Sequence, residues 1–133
     1  MSEPKKILFV CVENAGRSQM AEGFFRKLGP PEFLSQSGGT KPTREINPLA
    51  VQVMKEVGID ITGQKPKVLS DEMIKKSAKV VNMGCMDKES CPALFVNNVT
   101  DWNIADPKGK QIEQVRKIRD EIETKVRELV ASL

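Results

Sequence analysis

The sequence predicts an α/β fold, a small doubly wound sheet of four parallel strands with helices on both faces. Short apolar segments, typical of buried parallel strands, alternate with longer segments whose apolar residues recur every three or four positions. The length of 133 residues suits a single domain over 1–133 with one core. Right-handed crossovers would bring the carboxyl ends of the strands, where ligands bind in such sheets, to one edge.

The chain begins with a predicted strand and helix. Lys6–Val10 is a short apolar run that predicts the first strand. The chain then turns through Cys11–Gly16 into a helix that Gly29, Pro30 and Pro31 end. One face of this helix is apolar, with Met20, Ala21, Phe24, Phe25 and Leu28.

A second strand and a second helix follow. Phe33–Ser37 predicts the strand, and the glycine-rich segment 38–42 predicts a loop. Asn47 precedes Pro48 as an N-cap and Gly58 ends the helix. The apolar stripe of this helix comprises Leu49, Ala50, Val53, Met54 and Val57.

The second half of the chain repeats the alternation. A short helix is predicted to start at Ser70–Glu72, a third strand at Lys79–Met83 and a fourth strand at Phe95–Val99, ahead of a loop over Thr100–Pro107. The last element is a long amphipathic helix with apolar residues at Ile112, Val115, Ile118, Ile122, Val126, Leu129, Val130 and Leu133.

The composition excludes several functional classes. The chain has no histidine and no tyrosine, so Ser-His-Asp triads, Cys-His protease sites and histidine zinc sites are impossible. The net charge is only +3, the two signs are interspersed and aromatics are 5%, which argues against nucleic acid as a partner. No apolar run approaches the ~20 residues of a membrane span and no signal peptide is recognisable. We therefore expect a cytoplasmic protein without a membrane partner.

The three cysteines are Cys11, Cys85 and Cys91. An odd number in a reducing compartment predicts reactive or buried thiols and not a structural disulfide. A zinc site is poorly supported because these thiols would be its only soft ligands. We expect no metal and no cofactor.

The segment from Cys11 to Ser18 carries the strongest chemical signal. A cysteine, five residues, Arg17 and Ser18 lie between a predicted strand and a predicted helix. A loop of this length can turn successive N–H groups inward as an anion nest, while the helix N-terminus and Arg17 add positive charge. These surroundings favour the Cys11 thiolate, with the Ser18 hydroxyl as a hydrogen-bond donor, so Cys11 can be a nucleophile without histidine.

The loop CVENAGRSQMAEGF resembles the active-site loop of the low-molecular-weight protein tyrosine phosphatases, and more closely that of the thioredoxin-coupled arsenate reductases built on the same fold. The resemblance extends to NPLAVQVMKEVGIDI, the two later cysteines, DWNIADPKGK and RDEI. It implies a phosphotyrosine protein phosphatase I-like fold and the reduction of arsenate to arsenite in arsenic detoxification. Phosphate and sulfate would compete with arsenate, and thioredoxin or a similar dithiol protein would be the reductant. We expect the protein to be a monomer.

The resemblance also implies a role for each site residue. Cys11 attacks arsenate and Ser18 stabilises its thiolate. Cys85 then attacks the arsenylated Cys11, Cys91 attacks Cys85, and the resulting Cys85–Cys91 disulfide passes to thioredoxin. Asp106 protonates the leaving oxygen. The oxyanion is bound by the loop residues Val12, Glu13, Asn14, Ala15, Gly16 and Arg17.

Two features depart from the family pattern. Asn14, Glu22 and Ser37 match positions that bind potassium in some members, whereas Lys67 stands where those members have an aspartate. We expect the Lys67 ammonium to replace the cation, which would make the activity independent of potassium. Glu13 would repel an oxyanion from inside the loop, so its carboxylate is expected to point outward.

Two other functions stay open at this stage. A phosphatase for phosphotyrosine or small phosphoesters would use the same loop, because phosphate and arsenate share shape and charge, and weak phosphatase activity is expected in either case. A non-catalytic oxyanion-binding or redox-sensing module would use the thiols without turnover. Whether Trp102 covers the site or packs in the core also stays open.

Overall fold

The computed structural model describes residues 5–84 and 99–133, and within these ranges it contains four strands and four helices. The strands are β1 (Lys5–Cys11), β2 (Phe33–Gly39), β3 (Ser77–Asn82) and β4 (Val99–Asp101). The helices are α1 (Arg17–Leu28), α2 (Pro48–Glu56), α3 (Asp71–Lys76) and α4 (Ile112–Ala131). All strands are parallel, in the order β2-β1-β3-β4. The predicted four-stranded parallel sheet is confirmed.

Helix boundaries agree with the sequence signals. The Asn47 side chain accepts a hydrogen bond from Leu49 N before Pro48, and Gly58, at φ +80°, follows α2. The Ser70 side chain caps α3 by accepting a hydrogen bond from Met73 N. The last helix ends at Ala131, two residues before the predicted apolar stripe does.

Three strand boundaries differ from the prediction. Gly38 and Gly39 belong to β2 and not to a loop, because they pair with the last two residues of β1. β3 begins at Ser77, where α3 runs directly into it. In β4, Thr100 and Asp101 pair with β3, whereas the sequence placed both in the following loop. The rest of the predicted fourth strand, 95–98, lies outside the described residues.

The two faces of the sheet carry cores of unequal size. Ile7, Phe9 and Cys11 point from β1 into the larger core, which α1, α2 and α4 cover. Leu8 and Val10, alternating with them, point into a smaller core beneath α3. Helices therefore lie on both faces, as predicted, and the strand alternation places Cys11 on the side of α1. None of the helices in the described ranges has the length and apolar character to cross a bilayer.

Candidate active site

Cys11 is the last residue of β1, a central strand, and its side chain is buried. Its Sγ lies 2.9 Å from Ser18 Oγ and accepts a hydrogen bond of 3.2 Å from the backbone N of Asn14. The segment Cys11–Ser18, hereafter the anion loop, thus bends back over its own first residue. A sulfur that faces two donors is suited to carry negative charge.

The Ser18 hydroxyl has a second partner besides Cys11. Asn14 Nδ2 donates to Ser18 Oγ over 2.7 Å. This bond leaves the hydroxyl hydrogen free to turn to a Cys11 thiolate. Ser18 is fully buried and is the second residue of α1, so the helix fixes its position. Ser18 thus lies at hydrogen-bond distance from Cys11 Sγ, and its role as the donor stays a prediction.

Asn14 supports the tight curve of the loop. Its φ is +52°, and it is the one non-glycine residue in the left-handed region among residues 5–84 and 99–133. Asn14 Oδ1 accepts hydrogen bonds from Lys67 N at 2.8 Å and Gln19 Nε2 at 3.1 Å, and Asn14 O accepts a second one from Gln19 Nε2 at 2.9 Å. This set of contacts holds a strained backbone at the site.

The sequence did not indicate the glutamines behind Asn14. Gln19 is fully buried, and its Oε1 accepts a hydrogen bond of 2.7 Å from Gln64 Nε2. Arg26 Nη1 in turn donates to Gln64 Oε1 over 2.8 Å. The only signal for Gln19 was its place in the first turn of α1. Gln64 comes from a loop 45 residues away in the chain, and no local pattern predicts that contact.

Loop carbonyls point away from the pocket. Val12 O accepts from Lys41 N at 2.8 Å, Glu13 O from Thr43 N at 3.1 Å and Ala15 O from Asn47 N at 2.8 Å. A loop whose carbonyls are bonded outward leaves its N–H groups for the interior, as an anion nest requires. The Asn14 N–H is an exception to the predicted oxyanion set, because it donates to Cys11 Sγ.

Arg17 lies between the loop and the end of the sheet. Its Nη1 donates to Ile104 O over 3.1 Å, and its Nη2 lies 3.7 Å from Asp106 Oδ2. The guanidinium also packs against Gly84, where a Cβ would come within 2.5 Å of Nη1. Glycine at this position thus lets the guanidinium lie flat over the end of β3. Arg17 has remaining N–H groups for an oxyanion and lines the pocket.

The pocket has a volume of about 310 Å³ and opens above Cys11. The anion loop contributes Cys11, Glu13, Ala15, Gly16 and Arg17, and the other walls come from residues 43–48 and 106–108. Val12 does not line it. Among the residues that the structure describes, none of those that line the pocket is aromatic.

Asp106 stands at the pocket and its side chain is 52% exposed. Asp106 Oδ1 accepts a hydrogen bond of 3.0 Å from Lys108 N. The next residue, Pro107, packs against Gly16, where a Cβ would lie 2.7 Å from Pro107 Cγ. The structure therefore brings together Cys11, Arg17, Ser18 and Asp106, as the sequence predicted.

Glu13 lines the pocket, whereas the sequence analysis expected its carboxylate to point outward. The carboxylate pairs with Lys108, with Oε1 3.1 Å and Oε2 3.2 Å from Lys108 Nζ. The ammonium compensates the negative charge that Glu13 brings to the anion loop. Lys108 was not singled out from the sequence, since the contact spans 95 residues.

Lys67 lies beside the carboxylate that the sequence analysis associated with it. Lys67 Nζ is 3.6 Å from Glu22 Oε1 and donates to Lys65 O over 3.1 Å. Ser37 Oγ donates to the same Glu22 oxygen over 2.6 Å. An ammonium thus stands next to Glu22, while independence from potassium stays a prediction.

Trp102 packs in the core. Its ring lies 5.8 Å from that of Phe9 and its side chain is buried.

Cys85 and Cys91 lie outside the described residues. Within 5–84 and 99–133, no group of three or more cysteine or carboxylate side chains is placed to hold a metal ion.

Comparison with known proteins finds a matching family and similar chains. A family model described as low molecular weight phosphotyrosine protein phosphatase matches residues 6–133. The arsenate reductase of Staphylococcus aureus is 38% identical over 120 residues, which cover 89% of this chain and 90% of the relative.

Two solved structures share the fold. A thioredoxin-dependent arsenate reductase from Corynebacterium glutamicum superimposes with a TM-score of 0.82 at 34% identity, covering 98% of this chain and 62% of that one. This chain thus spans about three fifths of that protein. An arginine phosphatase from Geobacillus stearothermophilus superimposes with a TM-score of 0.85 at 32% identity, covering 97% of this chain and 92% of that one.

Proposed function

The chain belongs to the low molecular weight phosphotyrosine protein phosphatase family, and we propose that it is an arsenate reductase that thioredoxin or a similar dithiol protein regenerates. The observation that carries the proposal is the Cys11 sulfur, held by two donors beneath an oxyanion pocket, in a chain with two further cysteines. The Staphylococcus aureus and Corynebacterium glutamicum relatives, both arsenate reductases, support it.

The first chemical step uses the described site. The Cys11 thiolate attacks arsenic, a sulfur–arsenic bond forms, and one arsenate oxygen leaves as water after taking a proton from Asp106. Arg17 and the inward N–H groups of the loop bind the remaining oxygens. Ser18 and the Asn14 N–H stabilise the thiolate before the attack. Phosphate and sulfate compete because they offer the same tetrahedral oxygens.

The second step moves two electrons from thiols to arsenic. Cys85 attacks the Cys11 sulfur, a disulfide forms, and the sulfur–arsenic bond breaks with its electron pair left on arsenic, which departs as arsenite. Cys91 then attacks Cys85, releases the Cys11 thiolate and leaves a Cys85–Cys91 disulfide. Thioredoxin reduces this disulfide by the same exchange. The roles of Cys85 and Cys91 rest on the sequence, since both lie outside the described residues.

A phosphatase is the second candidate. The arginine phosphatase of Geobacillus stearothermophilus shares the fold at 32% identity, and a phosphoester can form a cysteinyl-phosphate on Cys11 that water hydrolyses. Such a reaction needs neither later cysteine. The described residues of the pocket walls include no aromatic ring that would stack on phosphotyrosine, and we expect weak activity on small phosphoesters beside the reductase activity.

We also propose that the protein works in the cytoplasm as a monomer, with residues 1–133 forming one domain. The thiol relay supports this location, because free cysteines persist in a reducing compartment. The relay needs no metal or cofactor, since the thiols supply the electrons.

A single turnover tests the proposal. Fully reduced protein is mixed anaerobically with arsenate and without reductant, and arsenite and free thiols are counted. We expect about one arsenite per chain, loss of two thiols and a disulfide mapped to Cys85–Cys91. Three intact thiols and no arsenite would contradict the reductase proposal and favour the phosphatase.

Cysteine variants sharpen this experiment. Cys91→Ser should still release one arsenite but stop at a Cys11–Cys85 disulfide, because the last exchange is missing. Cys11→Ser should release none, since the attacking sulfur is lost. A Cys91→Ser protein that ends with a free Cys11 would contradict the order of the relay.

A further inference from the structure

One contact at the pocket has no place in the chemistry above. The segment 104–108, hereafter the acid loop, contacts the anion loop at four points. Three of these involve Arg17 and Gly16, namely the Arg17 bond to Ile104 O, the Arg17–Asp106 contact and the packing of Pro107 on Gly16. The fourth and outermost is the ion pair between Glu13 and Lys108.

Asp106 is weakly held by the first three contacts. Its side chain is 52% exposed, and the 3.7 Å to Arg17 Nη2 is beyond hydrogen-bond distance. The one hydrogen bond described for its carboxylate comes from Lys108 N, at 3.0 Å. The position of the acid therefore depends on where the backbone of Lys108 lies.

Lys108 is itself anchored through its side chain. Its Nζ lies 3.1 Å from Glu13 Oε1 and 3.2 Å from Oε2, so both carboxylate oxygens face one ammonium. Glu13 is fixed in turn, because its backbone O accepts a hydrogen bond of 3.1 Å from Thr43 N. A continuous chain of contacts leads from the wall of the pocket through Glu13 and Lys108 to the Asp106 carboxyl.

We propose that the Glu13–Lys108 ion pair is a clasp that holds the acid loop on the anion loop and thereby positions Asp106 for proton transfer to the leaving oxygen. Glu13 and Lys108 are positioning residues in this scheme. The inference rests on the proposed role of Asp106. It also explains why a carboxylate is tolerated inside an anion loop, since Lys108 compensates its charge.

The two charges make the clasp testable. Glu13→Gln and Lys108→Met break the same contact but change the charge beside the pocket in opposite directions. A divalent oxyanion should therefore bind more tightly to Glu13→Gln and more weakly to Lys108→Met. The loss of Asp106 positioning should be common to both variants. Damage unrelated to the clasp would not produce this combination.

Two phosphoesters with different leaving groups report on the acid. Phenolate is a poor leaving group that needs a proton from Asp106, whereas p-nitrophenolate leaves without much help. Both esters form the same cysteinyl-phosphate, so departure of the leaving group is read in kcat/KM. We expect the ratio of kcat/KM for phenyl phosphate to kcat/KM for p-nitrophenyl phosphate to fall about threefold to tenfold in both variants. Phosphate affinity, measured by protection of Cys11 from alkylation, should shift in opposite directions. Lys108→Arg should restore most of the loss on phenyl phosphate.

Hydrogen exchange supplies a readout that needs no turnover. Exchange of the peptide covering 104–110 should be faster in Glu13→Gln and in Lys108→Met than in the wild type. Lys110→Met is the matched control, because the Lys110 ammonium forms no ion pair with the described residues and lies just beyond the acid loop. It should leave exchange and both kcat/KM values unchanged.

The outcomes are separable from those of the reductase test, because ester hydrolysis and hydrogen exchange need no arsenate reduction. Unchanged exchange in both variants would overturn the clasp. Equal losses of kcat/KM on the two esters would overturn it as well, since they would indicate general damage to the site. If the wild type turns over neither ester and does not reduce arsenate, there is no proton transfer for the clasp to position, and the proposal is overturned.

Discussion

The Cys11 sulfur lies 2.9 Å from the hydroxyl of Ser18. Asn14 Nδ2 donates to Ser18 Oγ, so the Ser18 hydrogen is free to turn to the sulfur. Hydrogen bonds to a charged group stabilise it more than bonds to a neutral one. Under the proposed function, in a chain without histidine, this hydroxyl and the Asn14 N–H take the place of the imidazole that activates many nucleophilic cysteines.

Ser18→Ala tests this arrangement. Removing the hydroxyl should slow alkylation of Cys11 by iodoacetamide at neutral pH about tenfold, because a charge-assisted hydrogen bond to the thiolate is lost. Ser35→Ala is the control, since the Ser35 hydroxyl donates to the backbone O of Glu22 and not to a residue of the anion loop. Equal alkylation rates in the wild type and Ser18→Ala would show that the hydroxyl does not stabilise the thiolate.

Local and distant contacts explain which site residues the sequence could predict. Cys11, Arg17 and Ser18 lie in one loop and one helix turn, so their spacing alone brings them together. Gln64 and Lys108 reach the loop from 45 and 95 residues away, and no periodicity or motif encodes such contacts. The direction of the Asn14 N–H was missed because it depends on a positive φ that the sequence did not indicate.

At the scale of elements, the backbone of the anion loop packs directly against the end of β2. Gly39 pairs with Cys11, and a Cβ at Gly39 would lie 2.5 Å from Val12 O and 2.9 Å from Asn14 N. Both atoms belong to the loop backbone, which is held by hydrogen bonds from Lys41 N to Val12 O and from Gln19 Nε2 to Asn14 O. A side chain at position 39 would therefore have to displace a hydrogen-bonded segment.

Gly39→Ala and Gly38→Ala form a matched pair for this contact. Gly39→Ala should weaken phosphate binding about tenfold to a hundredfold, because a shift of the loop misaligns its N–H groups. Gly38→Ala should have little effect on binding, since its Cβ would meet Met73 Cε at 3.2 Å and Leu69 Cα at 3.3 Å and no atom of the anion loop among its nearest neighbours. Calorimetric titration with phosphate measures both, and equal affinities would rule out steric control of the loop by Gly39.

Strand cores were easier to predict than strand ends. Apolar runs at Lys6–Val10 and Lys79–Met83 identified β1 and β3 because buried parallel strands need apolar side chains on both faces. The composition of Gly38 and Gly39 predicts a loop, yet both pair with β1 and belong to β2, and the close approach of the anion loop requires glycine at position 39. A functional contact thus overrides the local signal at the point where the strand meets the site.

At the scale of the whole molecule, the larger core is closed by the contact between α2 and α4. Arg119, nearly buried on α4, donates to Val53 O over 2.9 Å and to Glu56 Oε1 over 2.8 Å. Arg116 Nη2 donates to Glu56 Oε2 over 2.8 Å. Because α2 begins at Pro48, which also lines the pocket, this cluster joins the helical layer to the wall of the active site.

This cluster predicts a specific loss of stability in acid. Its hydrogen bond from Arg116 holds the pKa of Glu56 below the ordinary value of 4.5, with Arg119 adding to the effect. Because the pKa is lower in the folded state, the stabilisation by ionised Glu56 is complete above the unfolded-state pKa. It disappears as the pH falls through the folded-state pKa.

Glu56→Gln should therefore lower the Tm by a few degrees at neutral pH, but the Tm of the variant should match that of the wild type once both are strongly acidified. Thermal unfolding from about pH 7 to about pH 3 measures this, with Glu121→Gln, an exposed change on α4, as the control. A Tm difference that persists undiminished at the lowest pH would show that Glu56 acts through its shape and not its charge.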